Sequence, residues 1–136
     1  MKYFIVLTFI FMSVLFVSCD YFARYEYTVV NETSSNIVIK TIINPYNSMI
    51  SYTDSVYTIK SGEKLTFRQD LGATGKITPI DFYTQEDTIP PVSKFDIYVR
   101  DTIQNKLRLH KYWEYSAVTL VGIYKLKVTD SLLEGF

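Results

Sequence analysis

The chain has 136 residues, with fourteen basic and fourteen acidic side chains and a formal net charge of zero. That balance gives no bulk electrostatic case for nucleic acid, and the length suits one domain with its own core. One cysteine and one histidine rule out an internal disulfide and any metal site built from those residue types alone.

In chain order, Met1-Lys2 gives a short positive start, and Tyr3 to Val17 is then apolar except for Thr8 and Ser13. A charged beginning, an apolar run and the small residue Ser18 before Cys19 match a secretory signal peptide. The run is shorter than the ~20 apolar residues that a spanning helix usually needs. Plain cleavage before Cys19 would put Phe16 at the −3 position, where a small residue is preferred. Three readings stand side by side: a lipid-modified cysteine, an uncleaved helical anchor, and a cleaved signal with an incidental cysteine.

The segment Phe16-Val17-Ser18-Cys19 resembles the lipobox of bacterial lipoproteins, with Phe16 departing from the usual Leu. The resemblance implies that residues 1–18 are removed and that Cys19 becomes an acylated N-terminus. Each buried acyl CH₂ contributes about 0.8 kcal/mol, and stable anchoring takes more than one chain. The mature chain then carries thirteen basic and fourteen acidic residues, because Lys2 leaves with the signal. Residues 19–24 form a short tether without a Ser/Gly-rich linker. Its six residues reach only about 20 Å, so the domain is expected close to the bilayer. Tyr21 and Phe22 then either sit at the interface or pack on the domain.

From residue 25 the chain reads as strands. Tyr25, Tyr27 and Val29 alternate with Glu26 and Thr28, the period of a half-buried strand. Asn31 to Asn36 is a polar turn cluster, followed by alternation over Ile37 to Ile42 and a break at Asn44-Pro45. Ser55–Lys60 and Lys64–Arg68 flank Ser61-Gly62-Glu63, a gap that predicts a hairpin. An edge strand with Pro79 is expected over Ile77–Tyr83, then a loop over Gln85–Pro91. Phe95–Arg100 and Leu107–His110 alternate around a second hairpin loop, Asp101–Asn105, and Ile123–Thr129 is the last strand. No helix is expected beyond residue 19.

Seven or eight short strands with regular turn signals predict an all-β fold: a single antiparallel β-sandwich, immunoglobulin-like, over residues 25–136. A small barrel shares the same pattern, but large inward sets of Tyr, Phe, Ile and Leu favour two facing layers. The layout, with "YTVVNETSSNIVIK" and "YTIKSGEKLTF", resembles the small lipoproteins of Bacteroidetes-type bacteria, which carry one β-sandwich behind a short lipobox.

No catalytic constellation is present in the sequence, and no cofactor or metal is expected. His110 is read as a surface residue on a basic strand face beside Arg108 and Lys111. The binding candidate is Tyr112, Trp113 and Tyr115, whose amphipathic rings suit sugar or peptide recognition and equally suit the core of a disulfide-free sandwich. Four of eight aspartates precede Ser or Thr, against about 1.5 expected from composition, and each of these pairs is followed by an aliphatic residue. These triplets resemble the Asp-Ser/Thr-aliphatic acceptors of O-glycosylation in exported Bacteroidetes proteins, which implies Ser55, Thr88, Thr102 and Ser131 as acceptors. The competing reading is turn chemistry, since Asp, Ser and Thr hydrogen-bond their own backbone. Asn31-Glu32-Thr33 matches an N-glycosylation acceptor in form.

The expectation is therefore a non-catalytic interaction or structural module of the cell envelope, held in the bilayer by acylated Cys19. Its partner is an envelope protein or a glycan. A carbohydrate-binding lipoprotein using the aromatic cluster is the alternative. Only Asp20 follows the cysteine, where the resembled group's surface-exported members carry several acids, so the periplasmic face of the outer membrane is expected.

Overall fold

The structure is a computed structural model that describes residues 23–44, 50–72, 88–89 and 92–136. The signal segment, Cys19, Tyr21, Phe22 and the strand expected at Ile77–Tyr83 lie outside the described residues. Among the described residues eight strands form two four-stranded sheets. They are β1 (Ala23–Glu32), β2 (Ile37–Ile43), β3 (Ile50–Ile59), β4 (Lys64–Gly72), β5 (Asp96–Val99), β6 (Thr102–Ile103), β7 (Trp113–Val118) and β8 (Val121–Thr129). One sheet has the order β4-β1-β8-β7 and the other β3-β2-β5-β6. The sheets face one another as a sandwich and do not close into a barrel.

Period-two patterning explains the layers. Along β1, Ala23, Tyr25, Tyr27, Val29 and Asn31 are buried while the residues between them are half-exposed. Ile37, Ile39 and Ile43 of β2 and Ile97 and Val99 of β5 face them from the other sheet. The space between is filled by rings. Tyr27 stacks on Tyr124 with centroids 5.6 Å apart and planes 7° apart, and meets Phe95 and Trp113 edge-on. Phe67 and Phe95 approach to 4.7 Å. Such pairs add about 0.5–1.5 kcal/mol each beyond the area they bury, and in this way aromatic packing does what disulfides do in many exported domains.

Several local expectations are corrected. The sandwich is not wholly antiparallel, because β1 and β8 run parallel at the centre of their sheet from Arg24↔Val121 to Glu32↔Thr129. Ser61-Gly62 does form a tight turn: the Glu63 N–H donates to the Lys60 carbonyl (3.0 Å), and Gly62 takes φ +79°, which a glycine adopts readily. But the strands it joins, β3 and β4, belong to different sheets, so this is a corner rather than a hairpin. Leu107–His110 is not a strand. Residues Asn105–Arg108 and His110–Tyr112 form two 3-10 turns, which plug buried Leu107 into the core. The loop expected at 85–91 also contributes to the core, through Ile89, beside a bridge between Thr88 and Leu109. Finally, the chain forms a short helix, α1 (Asp130–Glu134). The Thr129 hydroxyl caps it by accepting from the Leu132 N–H at 3.1 Å.

Candidate functional site

The aromatic cluster is split by the strand that carries it. β7 alternates, so Trp113 points inward and is 5% exposed, with its indole N–H donating to the Leu107 carbonyl at 2.8 Å. Tyr115 points the same way and packs on Tyr124 at 4.9 Å, half-buried. Tyr112 lies outside the strand and meets the ring of Phe136 edge-on at 5.4 Å. These rings do not share one exposed platform; Trp113 is a core residue whose polar atom is satisfied internally.

Beside them runs an open cleft of about 460 Å³. It is bordered by Tyr112, Lys111, Lys125 and Lys127, with Glu114 as the acid and the Thr129–Leu132 segment as one wall. Glu114 reaches Lys127 at 3.5 Å across the β7–β8 ladder. The cleft is thus polar and rich in ammonium groups.

His110 is not on a strand face. It opens the second 3-10 turn, its ring edge lies on Tyr124 at 6.3 Å, and its Nδ1 is buried without a hydrogen-bond partner. Arg108 reaches across to Asp96, forming a hydrogen-bonded ion pair. Among the described residues no group of three or more His, Cys, Asp or Glu side chains is arranged to hold a metal ion.

The four Asp-Ser/Thr triplets fall in unlike places. Ser55 lies on the half-buried row of β3 with Tyr57 and Ile59, and Thr88 is half-buried in its bridge to Leu109. Thr102 and Ser131 are exposed, on β6 and α1. Two of the aspartates have structural work. Asp101 is the second residue of the β5–β6 turn, where Arg100 and Asp101 take φ 50° and 61°. Asp130 accepts from the Ser34 N–H at 3.1 Å and from the Arg100 guanidinium at 2.9 Å.

Those contacts belong to a polar clasp that sequence reasoning missed. Asn31 is fully buried, and its carboxamide is saturated. Its NH₂ donates to the Ser35 and Ile59 carbonyls at 2.8 Å each, and its oxygen accepts from the Thr33 N–H and hydroxyl at 3.0 and 2.8 Å. Ser61 donates to the Thr33 carbonyl at 2.6 Å, and the Arg100 guanidinium reaches the Ser35 hydroxyl at 3.2 Å. The Asn31 amide is therefore closed to an N-linked glycan. The NETSSN cluster could have signalled this, since Asn, Ser and Thr bond locally to backbone.

The outer face of the β4-β1-β8-β7 sheet is laced with ions: Glu26 lies between Arg24 at 3.0 Å and Arg68 at 3.6 Å. The outer face of the other sheet is more apolar, with Val56 59% exposed and the Lys40 ammonium 4.9 Å above the Tyr98 ring. No strand pairs with the outer edge of β7 among the described residues. No helix among them is long and apolar enough to cross a membrane. Compared with known proteins, the chain matches no family model, no curated protein and no solved structure.

Proposed function

We propose that the chain is a membrane-anchored lipoprotein whose β-sandwich serves as a non-catalytic interaction module of the cell envelope. The anchor rests on the order of Lys2, the apolar run and Phe16-Val17-Ser18-Cys19. The observation that carries the interaction role is β7, the end strand of its sheet among the described residues. It is six residues long and bears a single charged side chain, Glu114. Sheet edges of this kind accept an extended segment of a partner, with main-chain hydrogen bonds giving affinity and alternate side chains giving choice. The periplasmic face of the outer membrane suits a mature chain in which Asp20 alone follows the cysteine.

The test is a photocrosslinking amino acid at Ser116 on β7, with Thr58 on β3 as the control, in the native envelope. A discrete protein adduct at Ser116 and none at Thr58 supports the reading; equal or absent protein adducts at both positions count against it. A second reading, glycan binding, draws on the lysine-rich cleft beside Tyr112. Calorimetric titration with acidic and neutral oligosaccharides checks it, with heat expected only from acidic ones and loss of that heat in Lys125→Ala. The exposed acceptors Thr102 and Ser131 are the positions where hexose mass increments are expected if the triplets are glycosylated in the native host.

A further inference from the structure

The β7–β8 hairpin contains the sequence Tyr115-Ser116-Ala117-Val118-Thr119-Leu120-Val121-Gly122-Ile123-Tyr124, ten residues without a charge. The first charges on either side are Glu114 and Lys125, which face each other across the ladder. At the tip Val118 is 62% exposed, Ser116, Ala117 and Thr119 are exposed, and Leu120 and Val121 are half-buried. A two-residue hairpin turn ordinarily carries Asn, Asp or Gly, which are polar and tolerate a left-handed backbone. Here Thr119, a β-branched residue, takes φ 53° between Val118 and Leu120. An exposed apolar side chain beside a backbone in an unfavourable conformation costs stability in water, which directs attention to what the tip faces.

Its position supplies the answer. The Arg24 N–H donates to the Leu120 carbonyl at 3.1 Å, and the parallel pairing of β1 with β8 begins at Arg24↔Val121. The tip therefore flanks the residue at which the chain enters the sandwich. Three residues, Asp20, Tyr21 and Phe22, separate Cys19 from Ala23. Four peptide steps span at most about 14 Å, so an acylated Cys19 would hold this end of the sandwich against the bilayer surface. The polar clasp of Asn31, Arg100 and Asp130 lies at the far end of β1, about 30 Å away for a ten-residue strand.

We propose that the β7–β8 tip, through Ala117, Val118, Leu120 and Val121, dips into the interfacial layer of the lipid bilayer beside the acylated cysteine. The insertion is shallow. A hairpin turn leaves main-chain groups that need polar partners, and the headgroup layer supplies them where hydrocarbon does not. With the acyl chains as one contact and the tip as a second, the domain no longer swivels on its tether. The β7 edge then stands at a fixed angle to the membrane. This inference rests on the lipoprotein reading of Cys19.

The experiment uses the full chain, purified from membranes as Val118→Cys and, separately, as Thr102→Cys at the far end, each labelled with an environment-sensitive fluorophore. Both are reconstituted into phosphatidylethanolamine–phosphatidylglycerol vesicles that contain a shallow doxyl-labelled lipid, or are exposed to aqueous iodide. Intact mass first establishes whether Cys19 is acylated. With acylated protein, the doxyl lipid is expected to quench the Val118 probe several-fold more than the Thr102 probe, and iodide to show the reverse order. Iodide quenching of equal strength at both positions overturns the insertion and leaves the anchor standing. A Val118 probe shielded from both quenchers overturns it too, by showing that protein covers the tip. An unmodified Cys19 overturns the anchor and the inference together.

Discussion

The two ends of the sandwich are built on opposite principles. At one end Asn31, Thr33, Ser35, Ser61, Arg100 and Asp130 form a saturated set of hydrogen bonds that joins both sheets and the start of α1. At the other, the β7–β8 tip presents Val118 and a strained Thr119 with no charged side chain in reach along the hairpin. Both ends contain left-handed non-glycine residues, but the first uses them to aim Arg100 at the loop it clasps. Among the described residues, the second shows no such side-chain clasp at its most exposed residue, Val118. At one end the left-handed residues aim a clasp; at the other Thr119 holds an exposed apolar turn.

Substitutions separate these roles. The largest effect is expected at the clasp. Asn31→Ala removes the four buried hydrogen bonds of the carboxamide, taking the acceptor from the Thr33 N–H and a donor from the Ile59 carbonyl, and lowers stability by about 3 kcal/mol, read as a reduced urea midpoint. Between the ends lies Tyr27, whose phenol is pushed well above its ordinary range by burial first, and then by Tyr124 and Tyr25. Below about pH 10 the folded and unfolded chains bind this proton equally, and above it only the folded chain keeps it. Stability therefore falls with rising pH by up to about 1.4 kcal/mol per unit. Tyr27→Phe, which also loses the 3.4 Å contact to Gln69, should flatten that alkaline slope in melts recorded at several pH values.

Glycine at the strained positions gives smaller, stabilising shifts. Thr119→Gly is expected to raise stability by about 1 kcal/mol, since a β-branched residue tolerates positive φ poorly. Asp101→Gly should add about 0.5 kcal/mol, because Asp is already among the residues that accept this conformation. Calorimetric melts of the two variants rank them; the reverse order would mean that the two turns carry strain differently from their backbone angles. Least of all, Val118→Asp should change stability in water by under about 0.5 kcal/mol, as an exposed position away from any core contact. A large loss in the same melts would place Val118 with the packed end rather than the open one.

Much of the layering was legible in the sequence because alternation is a local signal. Tyr25, Tyr27, Val29, Ile37, Ile39, Ile97 and Val128 all sit on the buried faces. What failed was whatever depended on partners far along the chain. Ser61-Gly62 looks the same whether its strands pair or part to opposite sheets, and only the Asn31 main chain, which bonds to both Gly62 and Glu63, explains the corner. The parallel pairing of β1 with β8 has no local mark at all. Leu107 and Leu109 show a strand's spacing, yet the Leu107 carbonyl is wanted by the Trp113 indole and the segment coils into 3-10 turns to deliver it. At the candidate site, Trp113 followed the rule that a large ring in an alternating strand is core. The cap of α1 was visible in Thr129-Asp130-Ser131-Leu132, whose last three residues are read above as a glycosylation triplet and whose first ends the last strand.

The parallel ladder at the sheet's centre has a mechanical consequence. β1 begins at the Cys19 end of the sandwich, and β8 finishes at the opposite end. If the first is fixed in a membrane while a partner drags on the far end, the load runs along both strands in opposite senses. The ladder from Arg24↔Val121 to Glu32↔Thr129 is then pulled in shear, so its hydrogen bonds must yield together rather than unzip one by one. A hairpin pulled open from its tips resists with one rung at a time. This arrangement resists with the whole strand, as a link loaded between its two ends requires.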